Sequence, residues 1–358
     1  MPSLKEIKGR INSISSTLAI TSAMKMVAAA KLQKAQMAIQ NMLPYERRLH
    51  SMLIDLMGAM NISAAASEDG SVRGSGSAER GFDQSGDRLS LSNRHDLAGM
   101  DGAYSLMAQR EVRKVAIVAF ASNSSLCGAF NSNAIREATA VINEYRASGL
   151  GDADITVYSV GRKMAEAMKK LGFPSPADFT KMSDSPSYDA ASALAQELFD
   201  GFVSGRFDKV ELVYNHYKST SSQPTTRQTY LPLSLADATA DLQVGKIADS
   251  ASESDTNRGA ETVGAPVVRQ GSPTTEDLIV EPSKEALIAI LLPKVIRLRI
   301  FTTLLDSAAA EHAARTVAMQ LATDNGNDLL QELTLEYNKG RQQKITSEIL
   351  DLVGGSMQ

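Results

Sequence analysis

The side chains able to do chemistry are few and scattered. Histidines stand at positions 50, 95, 216 and 312, too far apart in sequence to pair on one helix face around a metal ion. Glu311-His312 sets a carboxylate beside an imidazole, a pairing that can ligate a metal or act as a base. No H-E-x-x-H surrounds it and no second histidine lies one turn away, so a lone packing or surface histidine accounts for it better. Asp324-Asn325-Gly326-Asn327-Asp328 has the polar density of a calcium loop. The position that should carry its bidentate glutamate is Leu335, and a polar stretch within a helix is the better reading. Cys127 sits in Ser125–Asn131 (SLCGAFN), just after a strand-like run, where α/β ligand sites often lie. A nucleophilic thiolate needs an activating neighbour. None is near in sequence, and a small buried hydrophobe at a tight turn explains this cysteine.

Phosphate chemistry fares no better. The chain has no G-x-x-x-x-G-K-[ST] and no G-x-G-x-x-G after a strand, and Gly149-Leu150-Gly151 precedes a strand instead of following one. No catalytic residue, cofactor site or metal site is expected. With a single cysteine the chain can form neither an internal disulfide nor a dithiol switch, which suits a reducing compartment.

Composition narrows the class. The 358 residues are 43% hydrophobic and 22% charged, with 15 methionines, no tryptophan and 5% aromatics. A core poor in rings and rich in Ala, Leu, Ile and Met suits helix-on-helix packing. A net charge of −4 gives no global sign of nucleic-acid binding. Charge is nevertheless uneven. Residues 1–57 carry eight Lys/Arg against three Asp/Glu, 60–108 four against seven, and 236–282 three against nine. The basic first segment implies an acidic partner surface, anionic lipid, or simply a solvated helix face. Residues 1–9 lack the apolar core of a signal peptide. The best apolar run, Ala286–Leu292, ends at Pro293-Lys294, well short of the roughly 18 residues that span a membrane. Any membrane link is expected to run through another protein or through surface contact.

The elements around these residues are clearer than any site. Counting sevens from Leu4 gives Leu4, Ile11, Leu18, Lys25, Leu32, Ile39, Glu46, Leu53 and Met60. The companion series is Ile7, Ile14, Thr21, Ala28, Ala35, Met42, Leu49 and Leu56. Fourteen of these seventeen are apolar, the exceptions being Thr21, Lys25 and Glu46. That phase predicts a long coiled-coil helix over residues 1–60, bent or interrupted at Pro44. Such a core argues against an interfacial membrane helix, whose apolar face must stay free for lipid. Residues 61–109 are rich in Ser, Gly and charge and read as a flexible insertion. Residues 110–235 alternate strand and helix. Strands are expected at 112–121, 155–160, 209–215 and 226–235, the last an edge strand because of Pro232. Helices are expected at 131–147, 161–171 and 187–201, giving a mostly parallel sheet with helices on both faces. Residues 236–282 form a second, acidic insertion. Residues 283–358 return to coiled-coil helix, with Ser283 as cap, a bend at Pro293, an apolar stripe through Leu335, Ile345, Ile349 and Leu352, and an end at Gly354-Gly355. The fold class is therefore α/β plus a long antiparallel coiled coil: terminal helices paired as a rod, with a Rossmann-like α/β domain between them. Neither terminal helix can bury its stripe alone.

Two long motifs carry a resemblance. KEIKGRINSIxxTxxITxAMKMVAAAKLxKAQ over Lys5–Gln36 resembles the opening of the ATP synthase gamma-subunit family, and EHAARxxAMxxATDNxxxLLxxLTLxYNKxRQxxITxEIxxLVGG over Glu311–Gly355 its close. Leu126–Asn131 and Tyr214–Leu233 also fit, so the resemblance covers everything but the two insertions. Asn123-Ser124-Ser125 stands where the family usually has Asp-Arg-Gly, and the thiol pair of chloroplast relatives is absent. The resemblance implies a non-catalytic central-stalk rotor of a proton-translocating F-type synthase, which also regulates ATPase activity and proton flow. Implied partners are three alpha and three beta subunits, the epsilon subunit and the membrane c-ring, with membrane contact indirect and no nucleic acid. The implied location is peripheral, on the cytoplasmic face of the bacterial plasma membrane. By motif position, Met24, Lys25, Met26, Arg341, Gln342, Thr346 and Glu348 are expected to contact beta. Ile345, Ile349, Leu350 and Leu352 are expected to form an apolar bearing. A small-molecule-binding α/β protein with coiled-coil arms, or a coiled-coil scaffold, is the alternative.

Overall fold

The structure, a computed structural model, describes residues 3–68, 106, 110–233 and 284–356. Most of the expected insertions, including all of 236–282, lies outside these residues, as does Ser283. In chain order the elements are α1 (Leu4–Glu68), β1 (Val115–Phe120), α2 (Phe130–Ala147), β2 (Ile155–Val160), α3 (Arg162–Lys170), α4 (Thr180–Asp184), α5 (Tyr188–Val203), β3 (Lys209–Asn215), β4 (Thr225–Leu231) and α6 (Lys284–Ser356).

α1 and α6 pair antiparallel. Leu4 meets Gly340, Leu18 meets Gly326 and Thr21 meets Thr323, while Glu46 meets Thr302. Every position of the two heptad series from Leu4 to Leu56 is buried or half-buried. Two of the three polar exceptions are accounted for. Thr323 donates its hydroxyl to Thr21 at 3.1 Å, and Thr302 donates to Glu46 at 3.0 Å. Lys25 is half-buried and has no ion-pair partner among the described residues. Gly326 is a point of close approach: a Cβ there would lie 2.6 Å from a Leu18 methyl. The polar stretch around it is plain helix.

Two boundaries differ from the sequence reading, and neither proline interrupts its helix. α1 runs to Glu68, past the expected end at 60. Neither Pro44 nor Pro293 ends its helix. An interior proline costs about 3 kcal/mol, which the burial of Leu49, Leu53 and Leu56 after Pro44, and of Leu292, Val295 and Ile296 around Pro293, offsets. α6 continues through Gly354-Gly355 to Ser356.

The sheet has strand order β2-β1-β3-β4, with β4 the antiparallel edge. Pro232 falls just beyond that edge strand. α4 was not legible in the sequence. β1 is buried along its whole length and its pleat serves two layers. Val115, Ile117 and Ala119 pack with Ala138, Ile142, Met164 and Met168 of α2 and α3. Ala116, Val118 and Phe120 face α5 and the base of the rod, in a core that includes Leu194, Leu198, Leu53, Leu292 and Ile296. The base of the shaft thus belongs to the foot's own hydrophobic core, and the foot cannot form that core without it.

Candidate functional site

The expected contact residues fall into two groups on the shaft. Met24 and Lys25 are half-buried in the flank of α1, and Met26 projects with 65% of its surface exposed. They lie close to the level of Thr323 on α6. Arg341, Gln342, Thr346 and Glu348 sit on α6 beyond Gly340, where α1 has ended, and all are exposed. Some twenty residues of helix separate the levels, roughly 30 Å at 1.5 Å per residue. One partner face must be long to touch both.

Ile345, Ile349, Leu350 and Leu352 share the second level and are likewise exposed, Leu352 to 74%. Steps of three and four residues align Ile345, Ile349 and Leu352 in one stripe. Thr346 spends its hydroxyl on the Gln342 carbonyl at 2.9 Å, and Glu348 pairs loosely with Lys344 at 3.7 Å. Arg341 has no partner among the described residues. An apolar stripe on a lone helix, rimmed by polar groups, is the mark of an interaction surface.

Sequence reasoning missed a third region, the seam between foot and shaft. In a sheet of this order, ligands lie at the carboxyl ends of β1 and β3, where the chain reverses direction. Here that crevice is full. Asn131 accepts the Ser122 amide at 3.0 Å, Asn123 accepts the Arg162 amide at 2.8 Å, and Arg162 donates its guanidinium to the Asn123 carbonyl. The start of α3, a natural anion site, is thereby capped from within. Cys127 is 1% exposed and packs with Phe130, Tyr217, Ala310 and Ala314, receiving a contact from the Asn131 amide at 3.2 Å. It is a packing residue, as its context implied. Leu126 and Gly128 take positive φ of 70° and 58°, folding the loop tightly against α6. No cluster suited to a metal ion occurs among the described residues.

Charge at the seam is paired. Arg315 donates to Glu311 and to Ser124, both at 2.7 Å. Burial pushes the Glu311 carboxyl upward against the pull of Arg315. Desolvation, helped by Arg315 and Lys31, lowers the neighbouring His312 to about 4, so it is a neutral packing residue. Asp306 accepts from the Tyr217 amide at 2.9 Å and lies 2.6 Å from His216 Nδ1, a bond that raises the pKa of the imidazole. Ser124, inside the unusual Asn-Ser-Ser run, therefore has a definite partner. A signal for the seam was present: Ala308-Ala309-Ala310 and Ala313-Ala314 leave α6 bare where a bulky neighbour must sit.

A stiff two-helix shaft on an α/β foot whose ligand crevice is closed defines a stalk protein. The ATP synthase family model matches residues 3–357. The ATP synthase gamma chain of Phocaeicola vulgatus is 47% identical over 357 residues, covering 100% of both chains. That of Bacteroides thetaiotaomicron is 45% identical with the same coverage, and that of Flavobacterium johnsoniae 35%, covering 99% of this chain and 98% of its own. Among solved structures, a chain of the Euglena gracilis mitochondrial ATP synthase OSCP/F1/c-ring assembly superposes with a TM-score of 0.52 at 18% identity, covering 99% of this chain and 93% of that one, a likeness of fold. The chain belongs to the ATP synthase gamma-chain family, the central-stalk rotor subunits of the F-type enzyme. It is a peripheral part of a membrane-bound complex, and no described helix is long and apolar enough to cross a membrane.

Proposed function

We propose that this chain carries rotation from a membrane c-ring to the catalytic beta subunits of a bacterial F-type synthase and catalyses nothing itself. The observation that carries the reading is the uncovered end of α6. Its apolar stripe is exposed on a single helix beyond the paired shaft, which suits a tip turning inside a sleeve of three alpha and three beta subunits. Apolar contact holds the tip in place without fixing its angle, because the hydrophobic effect is non-directional. Angular push needs polar catches. In this reading Lys25, Arg341, Gln342, Thr346 and Glu348 supply them at two levels, with Met24 and Met26 framing the lower one. Each polar contact contributes on the order of 1–3 kcal/mol and is remade as the shaft turns.

The foot, near the base of the rod, is the part that meets the c-ring and the epsilon subunit in this reading. Membrane contact is then indirect, and the complex sits on the cytoplasmic face. The same shaft position that drives beta during synthesis holds back idle hydrolysis and proton flow.

Reconstitution tests this reading. The chain is mixed with the alpha and beta subunits of its own organism and ATP hydrolysis is assayed. A complex of three alpha, three beta and one copy of this chain that hydrolyses ATP, while the chain alone does not, is the expected result. A chain that ignores alpha and beta, or that turns over nucleotide by itself, contradicts it.

A further inference from the structure

Tyr217 touches all three bodies of the molecule. It follows β3 in the foot. It packs against two small apolar clusters, one of Leu32 from α1 with Ala309 and Ala313 from α6, the other of Ala310 from α6 with Cys127 and Phe130 of the foot. Gln36 of α1 donates its side-chain amide to the Tyr217 hydroxyl at 2.6 Å. The backbone amide of Tyr217 donates to Asp306 of α6 at 2.9 Å, and His216 meets the other oxygen of Asp306 at 2.6 Å. On the neighbouring loop, Arg315 reaches from α6 to Ser124 at 2.7 Å.

We infer that the crevice at the carboxyl ends of β1 and β3 is the socket of the shaft, and that Tyr217 is the positioning residue that keys both shaft helices to the foot against twisting load. The reasoning is mechanical. An apolar seam resists separation but lets surfaces slide, because its energy depends on buried area and hardly on register. Hydrogen bonds are directional and weaken steeply with misalignment. The lower core joins the foot to the shaft through aliphatic side chains such as Leu53, Leu292 and Ile296, and two hydrogen bonds tie it to α6, from Tyr230 to the Ile296 carbonyl at 2.9 Å and from Arg297 to Gln196 at 2.6 Å. Around Tyr217 a rigid ring sits between two helices, its hydroxyl bonded to Gln36 of α1 and its backbone amide to Asp306 of α6, so a twist of either helix relative to the foot strains a directional contact. Ala309, Ala310 and Ala313 on α6 supply the slot, which no larger side chain would leave open.

The inference rests on the rotor reading, and the experiment separates the two. The whole synthase is assembled in vesicles with wild-type chain, Tyr217→Phe or Tyr217→Ala. Protons pumped per ATP hydrolysed are measured without and with an opposing proton gradient. Tyr217→Phe keeps the ring and loses the bond to Gln36. Tyr217→Ala loses both. Without load, all three are expected to pump alike per ATP. Under load, Tyr217→Ala is expected to fall to half the wild-type ratio or less, with Tyr217→Phe between. A residue that matters only for folding would lower the amount of complex and leave the ratio per ATP unchanged at every load, and that result overturns the inference. Where Tyr217→Ala does not assemble, Tyr217→Phe is read alone, and a wild-type load curve overturns it equally. Failure of the wild-type chain to couple at all contradicts the rotor reading instead.

Discussion

At the scale of the residue, the most charged point in the foot is Glu211, 2% exposed in the middle of β3. It accepts from Tyr145 at 2.6 Å, pairs with Lys209 at 2.6 Å and with Arg227 at 2.7 Å, and Arg227 also reaches Glu144. Burial alone would push its carboxyl up. The bonds from Arg227, Lys209 and Tyr145 outweigh burial and hold it below the ordinary glutamate range. This knot ties α2 and β4 to β3. Glu211→Gln leaves two cations short of a buried carboxylate, and a loss of about 3 kcal/mol of stability is expected in a denaturant titration. An unchanged midpoint would contradict the role assigned to it. His50 makes a second prediction. Burial, then Arg299, lowers it to about 4, and its Nδ1 has no hydrogen-bond partner among the described residues. Its folded value is below the ordinary 6.5, so the unfolded chain binds the proton more tightly. Stability is therefore lost as pH falls from 6.5 towards 4. His50→Leu removes that dependence. Between pH 7 and pH 5 the variant is expected to lose about 2 kcal/mol less than the wild type in thermal melts. Parallel losses would show that His50 is not the group responsible.

At the scale of the element, much was legible and the reasons are physical. The heptads at 4–56 name the buried face of α1 almost residue by residue, because two long helices can hide their stripes only against each other. The strands at 155–160 and 209–215 fall where the β-branched runs put them. Less legible was whatever depends on tertiary neighbours. α1 continues past residue 60 through a composition that locally favours coil, and Pro44 and Pro293 are absorbed by packing around them. The socket was invisible because Gln36, Tyr217 and Asp306 are far apart in sequence and ordinary in type. Only the bare alanines of α6 pointed to it. The contact residues on the shaft were chosen by motif position; Met26 and those beyond Gly340 are exposed, while Met24 and Lys25 are half-buried. The uncovered end of α6 yields the element's own prediction. Deleting residues 335–358 should weaken coupling or assembly, read as proton pumping and hydrolysis by the reconstituted complex. It should spare the α/β unit at 112–235, whose core lies far from the cut, read as retained sheet signal and melting. Full coupling after that deletion would refute the bearing.

At the scale of the whole molecule, the design divides labour by chemistry. The foot's sheet is closed as a binding site and opened as a socket. The shaft is glued by apolar stripes, registered by pairs such as Thr21 with Thr323, and left bare at its tip. Membership of the gamma-chain family makes this molecule a central-stalk rotor subunit. The most direct test of the account follows rotation itself. The alpha and beta subunits, assembled with this chain, are fixed to a surface, a visible marker is attached to the foot at an exposed position such as Lys169, and ATP is added. Sustained turning of the marker in one direction, stopping when ATP is exhausted, is the predicted result. Hydrolysis that proceeds while the marker stays still would contradict the claim that this chain is the shaft.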